Sequence, residues 1–260
     1  MAEPGFEPVV DVTDEDGVFV VRMRRPPVNA LGMPLIESLD AALDEFAARS
    51  GRVLVIGSAV PGFFAAGADI KKMVGCDLEE FTAYGRALRA VVERVARLDR
   101  PSIAAVEGRA LGGGMELALA ATIRVGSGAA RFGLPEAKIG LIPSAGATQR
   151  LPRFVGRGRA LELMLSGREF DADEAHLVGV VDRLVPAGQA ESEAIALAHQ
   201  LSVLSLPALR DIMRGVDDAQ ELPLDAGLVR EAARVDVLFT GPDAQEGLRA
   251  FVDKRTPKFA

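Results

Sequence analysis

Cysteine is nearly absent from the 260-residue sequence, and histidine is almost as rare. The one cysteine, Cys76, excludes an intrachain disulfide and a metal site built from several thiolates. The two histidines, His176 and His199, fall in separate predicted helices without the spacing of metal ligands. We therefore predict no metal centre and interpret both histidines as structural.

Basic residues and long apolar runs are also scarce. Lys and Arg number 30 against 37 Asp and Glu, which gives a net charge of -7, and no dense basic run is present. Nucleic acid is therefore not an expected partner. Apolar runs end at Gly, Arg or Glu well before membrane-spanning length, and residues 1–8 carry acids without an apolar stretch. We expect no membrane association and a cytoplasmic location.

Three common motifs of catalysis and nucleotide binding are missing. Ser144 lacks the Gly-x-Ser-x-Gly frame of a nucleophile elbow, which argues against acyl-serine chemistry. Residues 156–158 (GRG) lack the third glycine of a dinucleotide fingerprint, and residues 112–116 (GGGME) lack the Gly-Lys-Ser/Thr of a phosphate-binding loop. Nicotinamide-dependent and nucleoside-triphosphate-dependent enzymes are therefore improbable classes.

What is present is an alternation of apolar runs and helical periodicity typical of an α/β protein. The predicted strands are 8–12, 18–23, 53–56, 103–106, 123–125 and 180–185. The predicted helices are 34–46, 78–98, 115–121, 160–165, 173–178, 191–204, 206–215, 224–239 and 243–252. The alternation predicts a largely parallel, buried sheet over residues 1–195, followed by a helical region over residues 196–260. Residues 59–72 and 129–151 show no clear period, and such long irregular stretches suggest function.

A glycine triplet, residues 112–114, stands where a predicted strand turns directly into a helix. The first amide groups of that helix are free, and the helix dipole favours negative charge beside them. A second small-residue loop, 63–71 (FFAAGADIK), offers further amides after a strand. One amide from each loop would form an oxyanion hole, although a tight turn explains the triplet about equally well.

Two acidic residues border these glycine-rich segments. Glu116 lies in the first turn of the glycine-headed helix, and Glu136 follows Pro135 in residues 132–136 (FGLPE). A first-turn glutamate usually does no more than compensate the helix dipole, so neither residue is persuasive alone. Together they fit a pair in which one carboxyl acts as base and the other as acid.

Seven segments in order resemble the crotonase (enoyl-CoA hydratase/isomerase) family over nearly the whole chain. They are residues 25–31 (RPPVNAL), 64–71 (FAAGADIK), 110–118 (ALGGGMELA), 132–136 (FGLPE), 140–143 (GLIP), 148–152 (TQRLP) and 251–255 (FVDKR). The resemblance implies a spiral of ββα units with a C-terminal helical trimerisation region, assembled as a homotrimer or as a dimer of trimers.

The resemblance also implies the roles of particular residues. The amides of Ala68 and Gly113 would bind the thioester carbonyl of a CoA substrate, and Glu116 and Glu136 would be catalytic. CoA would enter as part of the substrate, without a separate cofactor. Its expected contacts are Asn29, Ala30, Leu31, Ala66, Asp69, Ile70, Lys71, Gly112 and, through a phosphate, Lys254.

The activity that this resemblance implies is enoyl-CoA hydration, the reversible syn addition of water to a trans-2-enoyl-CoA. A Δ3,Δ2-enoyl-CoA isomerase needs chiefly the acid at position 136, so the presence of Glu116 favours the hydratase. Other acyl-CoA reactions of the family, or a non-catalytic acyl-CoA-binding member, remain open alternatives. Ser144, Thr122 and residues 107–109 (EGR) depart from the usual pattern, which bears on acyl-chain preference more than on the reaction.

Overall fold

Two β-sheets and their covering helices form the body of the protein. The computed structural model describes residues 9–49 and 51–259. The described strands are β1 Val10–Glu15, β2 Val18–Met23, β3 Val53–Ser58, β4 Phe63–Ala65, β5 Ser102–Val106, β6 Arg109–Leu111, β7 Ile123–Ser127, β8 Arg131–Gly133, β9 Glu169–Asp171 and β10 Arg183–Val185.

Helices follow most of these strands and make up nearly all of the last third. The described helices are α1 Met33–Ala48, α2 Ile70–Met73, α3 Leu78–Ala96, α4 Gly113–Ala120, α5 Ala147–Val155, α6 Arg157–Ser166, α7 Ala172–Leu177, α8 Ala190–Ser202, α9 Leu206–Glu221, α10 Leu224–Phe239 and α11 Pro242–Asp253. A 3₁₀ turn, Pro135–Ile139, precedes α5.

The larger sheet has the strand order β1-β2-β3-β5-β7-β10. β1 and β2, which correspond to the first two predicted strands, form an antiparallel hairpin, and the other neighbouring pairs are parallel. The expected start of the first strand at Pro8 lies outside the described residues. β3 and β5 consist of aliphatic or small residues and are almost entirely buried, as parallel strands covered on both faces are. The prediction of a largely parallel, buried sheet is confirmed.

The smaller sheet, β4-β6-β8-β9, consists of three-residue strands and positions the glycine-rich segments. β4 pairs with β6 and β6 with β8 in parallel, so the chain leaves all three strands on the same side. β4 leads into the loop before α2, β6 leads into α4, and β8 leads into the 3₁₀ turn. Because the carboxyl ends of parallel strands meet at one edge of a sheet, these three exits lie close together.

The expected boundary between a core and a helical region, after residue 195, falls inside α8. That helix packs Ala190, Ala194, Leu197 and Ala198 against the larger sheet, so it belongs to the body of the protein. The helices that extend away from the sheets are α9, α10 and α11. In the single chain α10 has no buried residue and α9 only Asp218.

Candidate active site

A cavity of about 430 Å³ lies at the edge where β4, β6 and β8 end. Ala68, Gly113, Glu116 and Glu136 all line it. The structure thus brings both candidate oxyanion donors and both candidate catalytic carboxyls to one space. Apolar side chains from α2, α3 and the segment after the 3₁₀ turn complete the wall, among them Met73, Phe81, Leu88, Ile139 and Ile142.

Gly113 presents its amide to the cavity because it is the first residue of α4. The first amides of a helix have no acceptor within the helix, and the positive end of the helix dipole adds to their attraction for negative charge. Gly112 before it has φ of 51°, a left-handed conformation that favours glycine. The turn that aims this amide therefore depends on the triplet.

Ala68 lies in the loop between β4 and α2, beside the start of α4. The loop is held by a bridge in which Leu31 N donates to Gly67 O at 2.7 Å. Among the described residues, Ala68 N and Gly113 N donate to no other backbone group. A Cβ added to Gly67 would lie 3.1 Å from Gly113 N and 2.7 Å from Leu111 O. Glycine at position 67 therefore allows the loop after β4 to approach the start of α4 closely.

Glu116 is 2% exposed, although it sits in the first turn of α4. Its Oε1 accepts hydrogen bonds from Ala145 N at 2.7 Å and Ala147 N at 2.9 Å. Burial raises the pKa of this carboxyl, and the two amides oppose the rise. A carboxyl that only compensated a helix dipole would be exposed to solvent, so this placement favours a functional role.

Arg150 supports the segment that holds Glu116. Its guanidinium donates to Ala145 O at 3.1 Å and to the Glu93 carboxylate of α3 at 2.5 Å. The arginine thereby ties residues 144–147 to α3, and its charge also favours the ionised form of Glu116. Arg150 belongs to one of the motif segments, but its supporting contacts could not be deduced from sequence.

Glu136 lies in the 3₁₀ turn that follows β8, whereas Glu116 lies in the helix that follows β6. Burial raises the pKa of its carboxyl to about 7, and the negative charge of Glu116 adds to the rise. Its Oε2 is buried without a hydrogen-bond partner in the part of the chain that the structure describes. A Cβ at position 112 would lie 2.6 Å from Glu136 Oε1, so Gly112 also makes room for this carboxyl.

The other predicted ligand contacts divide into two groups. Ala66, Ile70 and Gly112 line the cavity. Ala30, Leu31, Asp69, Lys71 and Lys254 do not: Leu31 is buried behind the wall, and Lys71 and Lys254 are exposed outside it. Asp69 is buried in an ion pair with Arg25 at 2.7 Å.

Asn29 stays a predicted contact, and the structure places its side chain in the core. It is 0% exposed, and its amide nitrogen donates to Ser58 Oγ at 2.8 Å and Phe64 O at 3.0 Å. Its Oδ1 accepts from Arg25 N at 2.7 Å. The hydrogen-bonding groups that could have met a ligand are thus used to fix the loop before α1.

Sequence reasoning missed the contribution of α3 to the site. Tyr84, Leu88 and Arg89 line the cavity, and the Tyr84 hydroxyl donates to Leu31 O at 2.7 Å and accepts from Asp69 N at 3.3 Å. The helical periodicity of the sequence predicted α3. It could not show whether an apolar residue of that helix faces a cavity or the protein core. The one available signal was that Tyr84 is the only tyrosine of the chain.

The described residues include neither a cluster of metal ligands nor a membrane-spanning helix. No group of three or more His, Cys, Asp and Glu side chains among them could hold a metal ion. No helix in the described ranges combines the length and apolar character needed to cross a bilayer. His176 has a structural contact, with Nδ1 at 3.0 Å from Val181 O.

Comparison with known proteins identifies relatives over almost the whole chain. Residues 13–260 match the family model described as Enoyl-CoA hydratase/isomerase. A probable enoyl-CoA hydratase of Rhizobium meliloti is 40% identical over 251 residues, which cover 95% of this chain and 96% of that protein. The human mitochondrial methylglutaconyl-CoA hydratase is 39% identical over 236 residues, which cover 89% of this chain and 70% of that protein.

Solved structures agree with these sequence matches. An enoyl-CoA hydratase from Bacillus anthracis superposes with a TM-score of 0.92 at 35% identity, covering 96% of this chain and 98% of that one. Pseudomonas aeruginosa DspI superposes with a TM-score of 0.93 at 32% identity over 100% of both chains. The expected spiral fold with its C-terminal helices is therefore confirmed.

Proposed function

The chain belongs to the enoyl-CoA hydratase/isomerase (crotonase) family, with an enoyl-CoA hydratase-type function, and from that premise we propose its reaction in detail. The enzyme adds water reversibly and syn across the double bond of a trans-2-enoyl-CoA to give a 3-hydroxyacyl-CoA. The thioester carbonyl lies between Ala68 N and Gly113 N, and the acyl group extends along the apolar wall of the cavity.

The two amides supply the electrostatic part of the catalysis. Attack of water at the β-carbon moves electrons through the α-carbon into the thioester carbonyl, so negative charge grows on that oxygen. Donors that are fixed before the reaction and shielded from water stabilise this charge without reorganising. The close approach of Gly67 to Gly113 N and the left-handed turn at Gly112 support this role, because both keep the two amides in place.

The two glutamates supply the proton transfers. In the hydration direction Glu116 orients the water and removes one of its protons, while Glu136 delivers a proton to the α-carbon. Glu116, held by two amides, keeps a fixed orientation for water. Glu136, with a pKa of about 7, holds a transferable proton near neutral pH. The pair carries one proton in total, and its two carboxyls exchange roles in the reverse direction.

One observation carries this proposal: the buried carboxyl of Glu116 and the half-buried carboxyl of Glu136 line the same cavity as two free backbone amides. Isomerisation of a 3-enoyl-CoA would need chiefly Glu136. The fixed orientation of Glu116 gives no advantage to that reaction, so hydration is the better account of the site.

The rest of the ligand and the assembly extend the same proposal. The CoA portion leaves the cavity past Ala66 and Ile70, and Ala30, Lys71 and Lys254 remain predicted contacts for its outer part. CoA enters as part of the substrate, and the reaction needs no separate cofactor. The chain assembles as a homotrimer or a dimer of trimers through α9, α10 and α11.

Loss of the ultraviolet absorbance of crotonyl-CoA upon enzyme addition tests the reaction. Wild type should consume the thioester, and Glu136→Gln should lower kcat about 10²- to 10⁴-fold, the range for loss of a general acid or base. Glu79→Gln, an exposed glutamate outside the cavity, is the matched control and should retain the wild-type rate.

Three results would contradict the proposal. Turnover that survives Glu136→Gln unchanged would remove the assignment of the acid. Conversion of a 3-enoyl-CoA to the 2-enoyl-CoA much faster than water addition would make the enzyme an isomerase. Binding of thioesters of several chain lengths without turnover would make it an acyl-CoA-binding protein.

A further inference from the structure

Arg89 is the one basic residue that lines the cavity within the described ranges, and neither the fold nor the proposed reaction uses its charge. It lies on α3, one residue after Leu88, on the face that covers the cavity. None of the ion pairs or hydrogen bonds of the described residues involves its guanidinium. Arg89 is exposed, and it supplies the only positive charge among the described residues of a wall that is mostly apolar but also carries Glu116 and Glu136.

The acids near Arg89 are already engaged. Glu93, one turn farther along α3, accepts from Arg97 and Arg150. Among the described residues, Glu116 accepts from backbone amides and Glu136 Oε2 has no hydrogen-bond partner, so neither carboxyl is paired with Arg89. Its charge is therefore neither neutralised by a neighbour nor used to tune the acid and base.

Gly85 leaves space for the guanidinium of Arg89, because it has no side chain. Glycine in the middle of a helix costs about 1 kcal/mol relative to alanine, yet α3 has a buried glycine at this position. A Cβ there would lie 3.1 Å from Arg89 Nη1. The absent side chain thus leaves room for Arg89 to fold back over the helix toward Tyr84 and Phe81, which line the same wall.

We propose that Arg89, seated over Gly85, binds a carboxylate at the distal end of the acyl group, so that the preferred substrates are enoyl-CoA thioesters of dicarboxylic acids. This inference rests on the proposed function. A guanidinium offers two parallel N–H donors that match the two oxygens of a carboxylate. Among the relatives, the human methylglutaconyl-CoA hydratase is named for a substrate with such a group.

The charge could instead serve the phosphates of CoA, and the two assignments predict different substrate dependence. A distal carboxylate is present only in some acyl groups, whereas the phosphates are present in every CoA thioester. Removal of Arg89 should therefore affect one acyl class selectively in the first case and all CoA thioesters equally in the second.

Titration calorimetry with two saturated thioesters tests the subsite without requiring turnover. Glutaryl-CoA carries a distal carboxylate, and pentanoyl-CoA has the same number of acyl carbons without one. Wild type should bind glutaryl-CoA about 10- to 100-fold more tightly than pentanoyl-CoA, the discrimination expected of a charge-assisted pair. In Arg89→Gln this ratio should fall to about one.

Arg86→Gln is the matched control, since Arg86 is an exposed arginine of the same helix that does not line the cavity. It should keep the wild-type ratio. Gly85→Ala retains the charge but displaces the guanidinium, so it should lower the ratio without lowering the melting temperature.

Equal affinity of wild type for the two thioesters would overturn the proposal. An equal loss of affinity for both in Arg89→Gln would also overturn it and assign the arginine to CoA itself. Hydration of crotonyl-CoA, measured in the same preparations, reports separately on the proposed reaction. The affinity ratio therefore tests the carboxylate subsite alone, and the hydration rate tests the proposed reaction alone. A negative result in one measurement does not decide the other.

Discussion

Glu116 and Glu136 are chemically identical side chains in different surroundings, and the proposed reaction gives them different tasks. Glu116 is buried but accepts two backbone hydrogen bonds, which partly offset the cost of its charge. Glu136 has a buried oxygen without a partner and lies within the field of Glu116. The proton of the pair is therefore expected on Glu136 near neutral pH, and this asymmetry gives hydration its direction of proton flow.

The raised pKa of Glu136 predicts a pH dependence. Above about pH 7 the pair loses its one proton, so kcat/KM for crotonyl-CoA hydration should fall about tenfold for each further pH unit. Because no proton enters the equilibrium constant, dehydration of 3-hydroxybutyryl-CoA must lose rate over the same range. Initial rates in both directions across this range check the prediction, and a flat profile in either direction would refute it.

Tyr84 is expected to position the oxyanion donor on Ala68. Its hydroxyl bridges Leu31 O and Asp69 N, so it ties α3 to both sides of the loop that carries Ala68. Tyr84→Phe removes the bridge while keeping the ring. We expect kcat to fall about tenfold with little change in KM, and the free energy of unfolding to fall by about 1 kcal/mol. An unaltered kcat in the folded variant would show that the loop is held without the hydroxyl.

At the residue scale, the sequence predicted which residues lie at the cavity better than it predicted what their side chains contact. Glu116, Glu136, Ala68 and Gly113 share a cavity because their segments follow three adjacent strands, and that arrangement follows from motif order. The burial of the Asn29 side chain could not be predicted, because a polar residue in a motif can hydrogen-bond the backbone as well as a ligand. Only the coordinates show that its amide is used up by Ser58 and Phe64.

At the scale of single elements, the start of α4 is the most sensitive part of the site. Proline is tolerated at the first position of a helix, so Gly113→Pro should fold while deleting one oxyanion donor. We expect kcat to fall about 10²- to 10³-fold, the cost of losing one such donor. The assay is crotonyl-CoA hydration, with circular dichroism to verify folding.

Gly113→Ala is the matched control for that variant, because alanine keeps the amide. Its Cβ would meet Leu31 Cδ1 at 3.3 Å, a contact that a small shift of the leucine relieves. This variant should lose far less rate than Gly113→Pro. Equal losses in the two variants would show that the side chain at position 113, and not its amide, limits catalysis.

The long helices and strands of the structure were predicted from the sequence, whereas most of the three-residue strands were not. The hairpin, α1, α3 and the C-terminal helices carry enough residues for a period to be read. β6, β8 and β9 have three residues each, and a pattern of period two cannot be recognised over that length. α5 was also missed, because Pro152 inside it and Gly146 before it suggest a loop.

At the scale of the whole molecule, the C-terminal helices are the part of the chain whose apolar side chains are least buried. Isolated helices of this length are marginal in water and depend on burying an apolar face. Several large apolar side chains there are mostly exposed, including Val229 at 71%, Val237 at 70%, Phe251 at 84% and Val252 at 77%. The assembly that we propose through α9, α10 and α11 would cover this surface. The resemblance to crotonases predicted a trimerisation region in this part of the sequence.

Size-exclusion chromatography with light scattering should therefore give three or six times the 27.4 kDa of one chain. Phe251→Asp places a charge on the exposed face of α11 and should shift the protein toward smaller species, because burying an unpaired carboxylate in an interface is costly. Leu177→Asp, at an equally exposed leucine of α7, is the control and should leave the assembly unchanged. A monomeric wild type at micromolar concentration would refute the assembly. Dissociation by Leu177→Asp but not by Phe251→Asp would place the interface on the body of the protein instead of on its C-terminal helices.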